Sequence, residues 1–449
     1  MDSVPKSFNP NRRLKEEFVS NLTGSSMLEI AAITTIIPAL FLLRRAVGFN
    51  RPADDVTLKK NDDAKVGSKS WQAYMARLAV DFLFIMVPFV LIFTVLSEWM
   101  YIWATLLILL LVFSIAARSF RFGSTLEEEP DSIRTSITSF RVATMMLTCI
   151  CILAVDFTIF PRRYAKTETY GTGWMDLGVG SFVVANSFVS RQARNLSWTK
   201  WKTAIQSTSP LIILGFVRLL STAGLDYQHH AAEYGVHWNF FFTLAAISFL
   251  TSIINVPAQY SGILGALILV GYEGWLMQGL NMYLLSNERG SDIISQNKEG
   301  FFSIFGYWSM YLIGVQVGNF LFFSNHSSAT TRSHKWTRNR AAILSLLFWL
   351  VTVVIDSHVQ RVSRRMGMAI VLFSDCFPGS KTSVLEEAYN RNLLAIFLLA
   401  NLLTGLVNFL VDTLFASSVK ALSVMIAYAF TLTFIPGLLD FCGIRFRFW

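Results

Sequence analysis

Apolar stretches long enough to cross a bilayer recur along this chain from end to end. A helix needs about 20 mostly apolar residues to traverse ~30 Å of hydrocarbon. Twelve segments approach or reach that length: 25–43, 78–96, 99–117, 140–160, 173–190, 205–223, 237–255, 258–276, 301–323, 341–356, 392–411 and 420–439. A thirteenth run, 366–377, is shorter. Inside hydrocarbon every backbone polar group must find its partner within the protein, so runs of this kind predict helices. The expected fold is an all-α, polytopic transmembrane helix bundle of 12–13 spans with no large soluble domain. It reads as one integral-membrane domain over residues 1–449, and the charged loop 44–77 is its one linker. Composition agrees. Of the 449 residues 53% are apolar and 15% charged, against about a quarter charged in soluble domains. That excludes a disordered chain and argues against a soluble enzyme. The first apolar run follows a polar N-terminus and lacks a small-residue cleavage pattern, so it is expected to stay as a span.

The formal charge of +9 reports topology before it reports a partner. If all thirteen segments cross, one set of alternate loops carries 24 Lys and Arg, and the opposite set carries 13. The richer set includes 44–77, which is then cytosolic. The poorer set includes the N-terminus and 161–172, which are then lumenal in a protein of the secretory pathway. Basic residues facing anionic headgroups account for the charge, and no nucleic-acid partner is expected. Cys149, Cys151, Cys376 and Cys442 have no zinc-site or disulfide-framework spacing, so no metal is expected.

Charges inside spans are few. Glu29, Asp81, Asp156, Asp176 and Arg218 each have an ordinary role available, in pairing or at the interface, and Asp81 reads as an interfacial carboxylate. One stretch is denser: AVDFTIFPRRYAKTETYGTGWMDLGVG at 154–180. A span ends at an acidic residue, Pro161 breaks it, a short basic loop follows, and a glycine-rich helix re-enters. Asp156 and Lys166 are ten residues apart across that bend. They form either a carboxylate–ammonium site, with Arg162 and Arg163 for an anionic headgroup, or an interfacial ion pair beside lipid phosphate. The pattern alone favours the second.

Three further polar stretches stand out. Residues 225–240 carry His229, His230, Glu233, His237 and Asn239 among aromatic neighbours. They lack a His-Glu-x-x-His motif, so a histidine base or donor fits better than a metal; an aromatic interfacial belt of Tyr227, Tyr234 and Trp238 with polar neighbours fits the residues at least as well. Residues 297–307 begin Asn-Lys-Glu-Gly, with Glu299 placed to begin the next helix. In NLLTGLVN at 401–408 the buried asparagines are expected to hydrogen-bond between helices, a packing role.

Taken together, AVDFTIFPRRYAKTETYGTGWMDLGVGSFV, EYGVHWNFF, NKEGFFSIFGY, Ser363-Arg364-Arg365 and NLLTGLVN resemble the glycosylphosphatidylinositol (GPI) inositol acyltransferase family, in order and over nearly the whole chain. The resemblance implies a multi-pass protein of the endoplasmic-reticulum membrane. It would transfer a long acyl chain, usually palmitoyl, from acyl-CoA to the inositol 2-hydroxyl of glucosaminyl-phosphatidylinositol. Acyl-CoA is then a co-substrate, and no cofactor is required. The family's catalytic Asp and Lys match Asp156 and Lys166, which makes 161–172 the catalytic loop. Arg162, Arg163, Asp176, His230, Glu233, His237, Asn239 and Glu299 are the candidate substrate-binding residues. The general base stays open among Asp156, His230 and His237. Two other classes fit a chain with many spans less well. A multi-pass lipid transporter or scramblase would show paired broken helices in two halves, and none is found. A non-enzymatic assembly subunit would have no need of the Asp156 and Lys166 pair.

One region departs from the family. After Arg365 relatives continue with a full-length span, whereas 366–377 covers only about 18 Å as a helix. If it crosses, the C-terminus is cytosolic; if it is re-entrant, both termini are lumenal.

Overall fold

A computed structural model of the chain describes residues 14, 17–18, 20, 22–46, 71–122, 132–196, 201–222, 234–286, 288–323, 334–358 and 382–446. The described helices are α1 (Met27–Ala46), α2 (Trp71–Ile92), α3 (Met100–Phe122), α4 (Ser132–Ala154), α5 (Trp174–Phe188), α6 (Trp201–Thr222), α7 (Phe240–Ile254), α8 (Ala258–Leu285), α9 (Lys298–Phe323), α10 (His334–His358), α11 (Val384–Arg391), α12 (Leu393–Leu410) and α13 (Ser418–Phe441). Among the described residues there is no strand beyond an isolated bridge between Ser25 and Thr172. The fold is all-α. Nine of these helices are long and apolar enough to cross a membrane, by length and composition. Each of the twelve long apolar runs coincides with a helix, and the run 366–377 lies outside the described residues. Leu109, Val112 and Phe113 on α3 and Leu346 and Leu350 on α10 stand exposed, which suits helices bathed in lipid.

The helix ends differ from the apolar runs in two instructive places. α2 starts at Trp71, seven residues before its run. The Trp71 ring lies edge-on to Phe441 at 4.8 Å, and the Tyr74 hydroxyl donates to the Gly437 carbonyl at 2.9 Å. Tertiary packing therefore extends a helix that hydropathy would stop. Asp81 lies within the helix and is fully buried against protein. α4 ends at Ala154, so Asp156 stands in the turn beyond the helix.

The described residues form two compact units. The first holds α5–α10 with residues 22–26 and 162–173. Its core gathers Val183, Val184 and Phe188 of α5 around Tyr307, Trp308 and Leu312 of α9. Small residues let these backbones close: a Cβ added at Gly314 would meet Ser187 Oγ at 2.0 Å, and one at Gly265 would meet the Ser309 carbonyl at 2.7 Å.

The second unit holds α1–α4 and α11–α13. Polar clusters mark its two ends. At one end Arg44 Nε donates to Asp81 Oδ1 at 2.6 Å, and Arg45 Nη2 donates to Glu386 Oε1 at 2.8 Å and to Ser139 Oγ at 2.6 Å. Asp81 Oδ2 accepts from the Leu385 amide at 3.0 Å, and Arg391 pairs with Asp440. The end of α1, the first half of α2, the start of α4, all of α11 and the end of α13 therefore share this end. Tyr428 crosses the middle, donating to the Cys149 carbonyl at 2.8 Å. Asp156, Asn408 and Thr413 mark the other end.

This arrangement places the end of α13 with the end of α1, opposite the start of α1. A reporter after Phe446 should therefore face the same side of the membrane as one inserted in 47–70. Glycosylation of the first reporter but not the second, in intact cells, would contradict the arrangement.

Candidate active site

Asp156 is built by the way α4 stops. After Ala154 the chain tightens into turns, with Asp156 N–H donating to the Leu153 carbonyl at 3.1 Å and Phe157 N–H to the Ala154 carbonyl at 3.0 Å. Phe157 and Phe160 are fully buried on either side of the bend, and they anchor it. The carboxylate itself is half-buried. Its Oδ2 accepts a 2.6 Å hydrogen bond from Asn408 Nδ2, in the last turn of α12. Asn408 Nδ2 also donates to the Thr404 carbonyl at 3.2 Å, and Thr413 Oγ1 donates to Asn408 Oδ1 at 3.3 Å.

The loop carrying Lys166 belongs to the first unit. A 3₁₀ turn at Arg162–Tyr164 follows Pro161. Ala165 N–H donates to the Arg162 carbonyl at 3.1 Å. The next anchor is Asp176, in the first turn of α5. Its Oδ2 accepts from Thr167 N–H at 3.0 Å, from Thr167 Oγ1 at 2.8 Å and from Gly173 N–H at 3.0 Å. Lys166 is thus half-buried between two fixed neighbours, Ala165 and Thr167, both buried. The Arg162 guanidinium stacks 3.9 Å from the Phe18 ring centroid, and Arg163 lies 5.0 Å from that of Tyr164.

A segment before α1 forms one wall of this loop. Ser25 N–H donates to the Thr172 carbonyl at 2.9 Å, and Glu168 N–H donates to the Leu22 carbonyl at 3.1 Å. The crossing is tight enough to require glycine on both strands. Gly24 has φ +82° and Gly171 φ +119°, and a Cβ at Gly171 would stand 1.9 Å from the Thr23 carbonyl oxygen.

The third group of candidate residues is also in the first unit. Asn297 Oδ1 accepts from His237 N–H at 2.8 Å and Trp238 N–H at 3.0 Å. That contact lays residues 235–238 along the start of α9 and leaves the His237 side chain exposed. Asn239 caps α7, accepting from Phe241 N–H at 3.1 Å, and donates to the Gly215 carbonyl at 2.9 Å. Glu299 is buried and takes a two-pronged pair from Arg289, at 3.0 and 2.7 Å. Beside it the fully buried Lys298 gives its ammonium to the carbonyls of Tyr283, Ser286 and Glu288 and to Ser286 Oγ, at 2.7–3.0 Å. His230 and Glu233 lie outside the described residues.

The structure therefore sorts the candidate residues. Asp176, Asn239 and Glu299 spend their polar atoms on loop clamps, a cap and an ion pair. Arg162, Arg163, Lys166 and His237 keep exposed or half-exposed side chains. Sequence reasoning missed Asn408 and Thr413 as neighbours of Asp156, although NLLTGLVN had flagged Asn408 as a buried polar residue. It also missed the part played by Leu22–Ser25. Among the described residues, no three His, Cys, Asp or Glu side chains gather as metal ligands would.

Comparison with known proteins agrees with the motifs. The sequence profile of the GWT1 family matches residues 11–373 and 374–439, in two pieces. An uncharacterized protein of Arabidopsis thaliana is 52% identical over 432 residues, covering 91% of this chain and 98% of the relative. The phosphatidylinositol-glycan biosynthesis class W protein of Dictyostelium discoideum is 33% identical over 504 residues, covering 97% of this chain and 98% of the relative. The GPI-anchored wall transfer protein 1 of Gibberella zeae is 32% identical over 513 residues, covering 97% and 98%. With a profile match over most of its length and relatives of this identity and coverage, the chain belongs to the GWT1 family.

Proposed function

We propose that this protein acts in GPI-anchor biosynthesis in the endoplasmic-reticulum membrane, as an O-acyltransferase. It moves a long acyl group, palmitoyl in the first instance, from acyl-CoA to the inositol 2-hydroxyl of glucosaminyl-phosphatidylinositol. The carrying observation is the nearly full-length likeness to a relative named for phosphatidylinositol-glycan biosynthesis. The chemistry of the site supports it. The inositol oxygen attacks the thioester carbonyl, forming a C–O bond; the C–S bond breaks, and the hydroxyl proton ends on the CoA thiol. Asp156 takes that proton as general base, and the Lys166 ammonium steadies the carbonyl oxygen as negative charge develops on it. Arg162 and Arg163, planar and already stacked, hold phosphate of either substrate. Direct transfer needs no Ser or Cys nucleophile. The loop 161–172 is lumenal on this reading, as the N-terminus is.

The test is a microsomal assay in cells lacking endogenous inositol acylation. Membranes expressing the chain, supplied with palmitoyl-CoA and glucosaminyl-phosphatidylinositol, should form an acylinositol product that alkali removes. Well-expressed protein giving no product above the empty-vector membranes would overturn the reading.

A further inference from the structure

We propose that Asn408, itself held by Thr413, is a positioning residue for the Asp156 carboxylate. This rests on the reading of Asp156 as the base in acyl transfer. Three observations carry it.

The first is the contact itself. Asn408 Nδ2 lies 2.6 Å from Asp156 Oδ2, although 252 positions separate the two residues. They come from different helices, and each stands where its helix ends. Asp156 is in a turn rather than a helix, and an amide anchored on the end of α12 holds one of its carboxylate oxygens.

The second is that the amide has a defined orientation. One amide nitrogen serves both Asp156 Oδ2 and the Thr404 carbonyl at 3.2 Å, and the amide oxygen receives Thr413 Oγ1 at 3.3 Å. Turning the amide over would set its oxygen against a carboxylate and a carbonyl, so the two acceptors fix the orientation, and the Thr413 hydroxyl then donates to the amide oxygen. Thr413 is buried, with 1% of its surface exposed, so it is fixed by packing and holds the amide in turn.

The third is the chemical kind of partner. A base oriented by a third group is the general logic of an activated proton acceptor. A neutral amide donates to a carboxylate without bringing a positive charge of its own, so this contact does not by itself hold a proton off. An arginine at this position would bind the same oxygen more strongly and pair the carboxylate's charge. The acceptor that this asparagine meets is the candidate catalytic group.

The test uses full-length protein, purified in detergent, with palmitoyl-CoA and synthetic glucosaminyl-phosphatidylinositol. Asn408→Ala should lower kcat by about 10–100-fold, the range for removing the outer partner of a functional side chain. KM for either substrate should stay within about two-fold, because the residue acts through Asp156 and not on substrate. Should Asn408→Ala fail to accumulate, the Thr413 pair decides. Thr413→Val loses the hydroxyl and should lose about three- to ten-fold in kcat, whereas Thr413→Ser keeps it and should stay within about two-fold of wild type. Unchanged kcat in a stable Asn408→Ala protein would overturn the assignment. So would a rise in KM alone, or equal losses in Thr413→Val and Thr413→Ser. Wild-type protein that makes no acylinositol at all would instead overturn the underlying reading of function, so the two failures are distinguishable.

Discussion

Changing Asp156 to Asn will lower acylinositol formation by about 10²–10⁴-fold while the protein stays in the membrane at its normal level. The substitution keeps the shape of the side chain. An amide oxygen at position 156 still accepts from Asn408 Nδ2, so the 2.6 Å contact has a neutral equivalent and the turn after α4 is not disturbed. On the proposed mechanism the lost property is the ability to take a proton from the inositol hydroxyl. Lys166→Ala is expected to behave similarly for a different reason, since on that mechanism it removes the positive charge that steadies the oxyanion. Such donors contribute about 2.7–4 kcal/mol. Lys166→Arg will recover little, because a planar fork does not fill the place of a compact ammonium. Both are measured as initial rates in microsomes, normalised to protein by immunoblot. Near-normal turnover by well-expressed Asp156→Asn would remove Asp156 from the mechanism, and His230 and His237 would take its place as candidate bases.

Arg45→Met will destabilise the protein by about 3–5 kcal/mol, the usual consequence of leaving one buried charge without its partner. Arg45 and Glu386 expose 5% and 1% of their side chains, so solvent screening does little for either. Glu386 is also the far half of a capping box. Its Oε2 accepts from Ser383 N–H at 2.8 Å, and its own N–H donates to Ser383 Oγ at 3.2 Å. Removing Arg45 therefore strands a carboxylate that also holds the first turn of α11. Adding Glu386→Gln to Arg45→Met will recover most of the loss, because a neutral amide keeps the cap without the unpaired charge. The readout is the midpoint of thermal aggregation in detergent, followed by size-exclusion fluorescence. A single Arg45→Met variant melting with wild type would show that the ion pair does not hold this end of the unit.

The helices were legible in the sequence because hydrocarbon admits few alternatives. Twenty apolar residues in a row have to satisfy their own backbone, and the runs from 25–43 to 420–439 each proved helical. The bend at Pro161 was legible for a similarly local reason. Partners were not legible. Arg45 meets Glu386 across 341 positions, and nothing in the type or spacing of either residue announces the other. The same holds for Asn408, which reads as a polar residue in an apolar helix, while its acceptor ends a different one. Hydropathy also missed where α2 starts. It averages over a window, whereas the start of α2 is fixed by two aromatic side chains docking on α13. Glu299 and Asp176 carry the charge expected of ligand-binding residues. Their use in holding the local chain becomes visible only when Arg289, Thr167 and Gly173 are seen beside them.

The crossing of Leu22–Ser25 over residues 168–172 bears on translation of the gene. Met27, the next methionine after Met1, is the first residue of α1. A polypeptide begun there would keep every helix from α1 to α13 and the same long apolar segments. It would lack Gly24 and Ser25, and with them the backbone partner of Thr172 and the surface against which Gly171 closes. Initiation at the second methionine would thus leave the Lys166 loop without the segment that closes against Gly171 and Thr172.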